Sequence, residues 1–246
     1  DFSPRSQFKF ISISVLYHNI MFKYINQISE QSFLLDFGSE IDIEINALVN
    51  LFAQKILNDS KIINELGIKN CVPSYNKILI QFDPLTINKS KIINYIKSIR
   101  ISKIERTNKK NIIQVPICYD DIFALDLKDI SKVTKLTTKE IINEHLNTLF
   151  HVYMIGFLPG YPFMGNMINK LSLPRKTTPR IKVPKGSVGI VDKICGIYPQ
   201  ESPGGWNILG RTPIDLFCKD KKVPLLIKPG DMVKFKQIST KEFNDY

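Results

Sequence analysis

Apolar and polar positions alternate along the first hundred residues in two distinct rhythms. Residues 32–38, SFLLDFG, form a short apolar run that ends at a glycine, which predicts a strand. The following stretch places Ile45, Leu48, Val49, Phe52 and Ile56 at helical spacing. Two apolar runs then flank Pro73-Ser74-Tyr75-Asn76, a hairpin signal, and Ile92, Ile93, Ile96 and Ile99 return to helical spacing. Residues 101–106, ISKIER, complete the series as a short final strand. The order β-α-β-β-α-β is the ferredoxin-like pattern, and it is assigned to residues 29–106.

A polar linker, TNKKN at 107–111, separates this unit from a different texture. The run IIQVPICY predicts a strand. Thr137 stands three residues before Glu140, the spacing of a capping box, and opens a helix carrying Ile141, Ile142, His145 and Leu146. Beyond it short apolar runs alternate with Gly/Pro turns: RIKVP, SVGIV, GIYP, WNILG, IDLF, PLLI and DMVKFKQI. Many short, closely spaced strands predict a closed β-barrel over residues 107–246. The expected fold class is therefore α+β. Residues 1–28 read as an extension of uncertain structure. The segment 8–22 is apolar but broken by Lys9, His18 and Asn19, too short and polar to span a bilayer, and Met21 directly precedes the first convincing domain pattern.

Composition changes this picture little. Hydrophobic residues make up 43% of 246, enough for real cores, and the formal net charge is +11. The lysines are scattered with no run of five like charges, so neither nucleic acid nor a membrane surface is an expected partner. Cys71, Cys118, Cys195 and Cys218 include no C-x-x-C pair, which argues for free thiols in a reducing cytoplasm rather than a metal or redox site. The sequence contains no G-x-x-x-x-G-K-[ST], G-x-S-x-G or H-E-x-x-H motif, which excludes the common self-contained ATPases, serine hydrolases and zinc proteases.

One segment stands apart. Residues 156–213 hold 9 of the 12 glycines and 8 of the 14 prolines, around the only tryptophan. The interleaved apolar residues argue for tightly specified turns, since linkers lack such payload. Arg175 and Arg180 both follow prolines, and guanidinium is the usual fork for a carboxylate or phosphate. Ser187 follows Gly186, and Gly204-Gly205 next to Trp206 could let a backbone approach a ligand closely. Against each stands a plainer alternative: surface arginines, a stapled turn, a core tryptophan, a core or capping His145.

The motifs GFLPGYPFMG, PRKTTPRIKVPKGSVGI and GIYPQESPGGWNILGRTP, in this order, resemble the family of the 5-oxoprolinase B subunit, which also includes the allophanate hydrolase subunit 1 domain and the kinase inhibitor KipI. The resemblance runs over residues 33–236. It implies a ferredoxin-like domain followed by a cyclophilin-like barrel, and a chain that supplies half of an active site. The 5-oxoprolinase subunits C and A would complete it, using ATP to open 5-oxoproline to glutamate. His145 then falls at the family's histidine and is the expected proton-transfer group. Arg175, Arg180, Ser187, Tyr198, Ser202, Gly204, Gly205 and Arg211 match the substrate-binding motif positions, and Trp206 matches as well. Leu173, Lys185 and the stretch VDKICG depart from the pattern. A KipI-like inhibitor of a sensor histidine kinase, a binding protein rather than an enzyme, is the alternative the same resemblance implies.

Overall fold

The computed structural model describes residues 22–85, 88–101 and 111–246. The chain divides into two compact units, Asp1–Asn108 and Lys109–Tyr246.

In the first unit, β1 (Tyr24–Ser29) and β2 (Ser32–Asp36) form a hairpin. Helix α1 (Ile43–Asn58) follows, its N-terminus capped by the Asp42 carboxylate, which accepts from the Glu44 and Ile45 N–H groups. After the short α2 (Ser60–Glu65), β3 (Ile68–Ser74) and β4 (Lys77–Phe82) make a second hairpin, and α3 (Lys89–Ser98) closes the described part. The antiparallel sheet has the order β1-β2-β4-β3. Strand β4 buries Ile78, Ile80 and Phe82, a period of two, against Val49, Phe52 and Ile56 of α1 and Ile92 and Ile96 of α3. The strand, helix, hairpin and helix expected from 32 onward are thus all present; most of the final strand expected at 101–106 lies outside the described residues.

Residues 22–28, expected as part of an extension, belong instead to the fold. Strand β1 is an edge strand of the sheet, and Phe22 packs edge-on against Phe37 and Phe52 at 6.1 and 5.9 Å in the core. The strand was hidden because only Ile25 of YINQIS packs on the core, leaving no apolar alternation to read.

The second unit opens with β5 (Ile112–Ile117), α4 (Leu127–Thr134) and α5 (Thr138–Asn147), the last carrying the expected Thr137/Glu140 capping box. Strands β6 (Phe150–Ile155), β7 (Pro162–Gly165), β8 (Arg180–Val183), β9 (Ser187–Val191), β10 (Ile194–Ile197), β11 (Ser202–Gly204), β12 (Asn207–Arg211) and β13 (Met232–Gln237) follow, then a terminal helix α6 (Thr240–Asn244). Seven strands form one sheet in the order β12-β9-β10-β7-β6-β13-β5, with β13 and β5 parallel. The sheet curls until its two edges meet: Cys118 and Arg211 exchange both backbone hydrogen bonds, at 2.9 and 3.0 Å. The result is a nearly closed barrel, filled by Val115, Phe150, Val152, Ile190, Cys195 and Phe235 among others. Strands β8 and β11 form a separate ribbon over a smaller core of Tyr161, Val183, Tyr198, Trp206 and Ile208. The apolar runs IDLF and PLLI, expected as strands, contribute only a single bridge, Phe217 to Leu225. Pro213 and Pro224 remove ladder donors beside each run.

Candidate functional site

Strand β10 divides the candidate residues into two groups, because neighbouring residues of a strand face opposite sides. Cys195 points into the barrel and Gly196 points out of it.

On the barrel side, Cys195 Sγ lies 3.6 Å from His145 Nε2, and Tyr119 Oη lies 2.6 Å from His145 Nδ1. The imidazole is wedged between Phe150 and Phe235, with ring centroids at 5.2 and 4.5 Å, and has no solvent exposure. Burial pushes its pKa down to about 3, so the ring is neutral at physiological pH. Burial likewise raises the Cys195 thiol and the Tyr119 phenol, leaving a neutral, internally satisfied triplet. The expected proton-transfer role does not fit this geometry: the ring is walled off by the barrel core, and both its nitrogens are occupied.

On the outer side, the glycines serve close packing. A Cβ on Gly196 would approach the Tyr161 ring and hydroxyl at 2.6 Å and Trp206 at 2.8 Å. A Cβ on Gly204 would run into the Tyr198 hydroxyl. Tyr161 stacks edge-on against Tyr198 and Trp206 at 5.1 and 5.6 Å. Desolvation raises both phenols. The Gly/Pro-rich turns therefore seat an aromatic cluster, and neither Gly196 nor Gly204 is open as a cradle for phosphate; ATP has no fitting site there.

Arg175 and Arg180 differ in kind. Arg180 grips Asp126 with both arms of its fork, Nη1 to Oδ2 at 2.8 Å and Nη2 to Oδ1 at 2.6 Å. Lys176 Nζ donates to Asp126 Oδ1 at 2.7 Å, and the Ile208 N–H donates to Oδ2 at 2.7 Å. The Asp126 side chain is 1% exposed. Burial alone would raise its pKa, but the bonds from Arg180, Ile208 and Lys176 outweigh burial and hold it below the usual carboxylate range. Arg180 is thus committed to an internal ion pair rather than available for substrate. Arg175 is exposed and has no ion pair or hydrogen bond among the described residues. Its charge favours the phenolates of Tyr161 and Tyr198, and it lines a groove of about 320 Å³ with Ile130, Val133, Leu173, Thr178 and Asn207.

The remaining expected residues scatter. Ser202 is nearly buried on β11, its hydroxyl donating to the Pro203 carbonyl at 3.3 Å, and Gly205 accepts from the Lys176 N–H at 2.8 Å, beside the aromatic cluster. Ser187 is buried at 1% in the β9 ladder. Arg211 closes the barrel, its Nε donating to the Lys185 carbonyl at 2.6 Å and its guanidinium lying 5.9 Å over Phe243 of α6. Substrate-binding roles expected for Ser187 and Arg211 are not supported, since their side chains or backbones are spent on the seam. Asp126 went unrecognised from sequence because it stands just before α4 and reads as an ordinary cap, yet its side chain caps nothing. Among the described residues no cluster of His, Cys, Asp or Glu could hold a metal ion, and no helix is long and apolar enough to cross a membrane.

Residues 23–227 match the carboxyltransferase domain, subdomain C and D. The chain belongs to this family. It is 33% identical to the 5-oxoprolinase B subunit of Bacillus subtilis (strain 168), over 90% of this chain and 95% of that protein. The solved structure of TTHA0988 superposes with a TM-score of 0.75 at 29% identity, over 85% of this chain and 40% of that one. The K. lactis urea amidolyase shares the fold, with a TM-score of 0.71 at 20% identity over 95% of this chain and 16% of that one. The mixed α/β fold of this chain is thus shared with these solved structures.

Proposed function

We propose that this chain is the B subunit of an ATP-dependent 5-oxoprolinase, a cytoplasmic complex that opens 5-oxoproline to glutamate together with subunits A and C. The observation that carries this reading is the similarity to a 5-oxoprolinase B subunit along 95% of its length. In the same reading the first unit is the ferredoxin-like domain, extended to begin at residue 22, and the second is the cyclophilin-like barrel.

The site geometry fits a chain that contributes a wall rather than a full catalytic set. Opening a five-membered amide builds negative charge on its carbonyl oxygen, and 5-oxoproline already carries a carboxylate, so a cation must face it. Arg175 is the motif cation left available; its charge acts on Tyr198, and Gly205 is bonded to the neighbouring Lys176 amide. Arg180, Ser187, Gly204, Arg211 and His145 hold the fold that presents them. Nucleotide chemistry and the proton-transfer groups belong to the partner subunits in this reading, since the chain has no nucleotide loop and its one family-matched histidine is enclosed.

The test is reconstitution. ATP-dependent release of glutamate from 5-oxoproline should require all three subunits and be absent from this chain alone. Turnover by the isolated chain, or none by the full complex, overturns the reading; capture of a sensor histidine kinase in place of subunits A and C would substitute the KipI-like one.

A further inference from the structure

Asp126 occupies the place where the barrel does not close by strand pairing. Away from the Cys118–Arg211 bridge, β12 has no strand partner on its outer side among the described residues, and Asp126 serves that edge. Its backbone N–H donates to the Ile208 carbonyl at 3.0 Å, and its carboxylate accepts from the Ile208 N–H at 2.7 Å. The same carboxylate holds Arg180 and Lys176, which bracket the turn PRKTTPR. The Lys176 amide is fixed in addition to the Gly205 carbonyl at 2.8 Å, and Asn207 Nδ2 holds the Pro174 carbonyl at 3.0 Å. Arg175 sits inside this frame, between Pro174 and Lys176, and is the one cation of the turn that the frame does not consume.

We propose that Asp126 is a positioning residue: it locks the 174–180 turn to the β12 edge, absorbs the charge of Arg180 and Lys176, and so presents Arg175 to a carboxylate ligand at the groove beside α4. The substrate half of this proposal rests on the 5-oxoprolinase reading; the lock itself does not. A buried carboxylate with two cations is costly to break and geometrically exacting, which suits it to fixing a register rather than adding stability. Arg and Lys at the two ends cannot exchange roles, because only the guanidinium meets both carboxylate oxygens at once.

Two measurements separate lock from function. In the full chain, amide hydrogen exchange at Lys176 should quicken about tenfold or more in Asp126→Asn, the scale of one lost charge-assisted hydrogen bond, while strand β4 of the first unit stays unchanged. Lys176→Met, at a partly exposed position, keeps the test alive if Asp126→Asn does not fold, and should quicken the Thr177 and Thr178 amides. Unchanged exchange in the variant that folds sinks the lock. In the reconstituted complex, Asp126→Asn and Arg175→Gln should each raise KM for 5-oxoproline about tenfold with kcat nearly kept, and the double variant should be no worse than either. Additive effects, or a fall in kcat alone, would show that Asp126 does not act through Arg175. A wild-type complex without turnover defeats the functional reading, and the exchange measurement still decides the lock.

Discussion

The hydroxyl of Tyr198 fills the space that a side chain on Gly204 would need. Tyr198 is 1% exposed and packed edge-on against Tyr161 inside the aromatic cluster, so it cannot swing aside. Gly204→Ala should therefore destabilise the second unit by about 1–3 kcal/mol, the usual cost of overpacking. Tyr198→Phe in the same chain should recover part of the loss, since it removes the closest clashing atom. Trp206 is the only tryptophan and lies in this cluster, so its fluorescence during urea unfolding reports the change directly. Wild-type stability in Gly204→Ala would mean that the ribbon β8–β11 yields freely.

Arg175 and Arg180 should separate by thermal unfolding. Arg180→Lys keeps charge but loses the two-armed grip on buried Asp126, and should lower stability by about 1–3 kcal/mol, the value of hydrogen bonds to a charged group. Arg175→Lys should leave the melting temperature unchanged, since Arg175 is exposed and supports no ion pair among the described residues. A fall of equal size in both would show that Arg175 also carries structure.

Periodic burial makes much of the fold legible in the sequence. Helix α1, the β3–β4 hairpin and the capping box of α5 follow from spacing alone, because each buries one face against a core. Strand β1 escaped because an edge strand with one packed residue carries no period. The site was legible in composition and not in role. The crowding of glycine and proline correctly marked tight turns, but sequence cannot tell a glycine left bare for a ligand from one left bare for Tyr198. Nor can it show that Arg180 is consumed by a carboxylate 54 residues upstream, or that β10 turns His145 and Trp206 to opposite faces.

Thiol reactivity offers an independent check on both cores. Cys71, Cys118 and Cys195 are buried, and burial pushes the Cys71 thiol up to about 12. Cys218 is partly exposed. Under native conditions a disulfide reagent should modify one thiol per chain promptly, mapped by mass spectrometry to Cys218, and the others only on unfolding. Prompt modification of Cys195 would place solvent inside the barrel.

The enclosure of His145 has a consequence for acid stability. The folded chain holds the ring neutral down to about pH 3, whereas in the unfolded chain it titrates near 6.5. Between those values the unfolded state binds the extra proton, so stability must fall as pH falls. The full effect is present above pH 6.5 and is lost progressively below it, at up to about 1.4 kcal/mol per pH unit for one group. His145→Gln retains an amide that can meet the Tyr119 hydroxyl but cannot titrate. Urea unfolding at several pH values between 6.5 and 5 should give a steeper loss for the wild type than for the variant. Parallel curves would mean that His145 takes up its proton in the folded chain. The ring would then be reachable by solvent, and its place among the proton-transfer candidates of the assembled site would be restored.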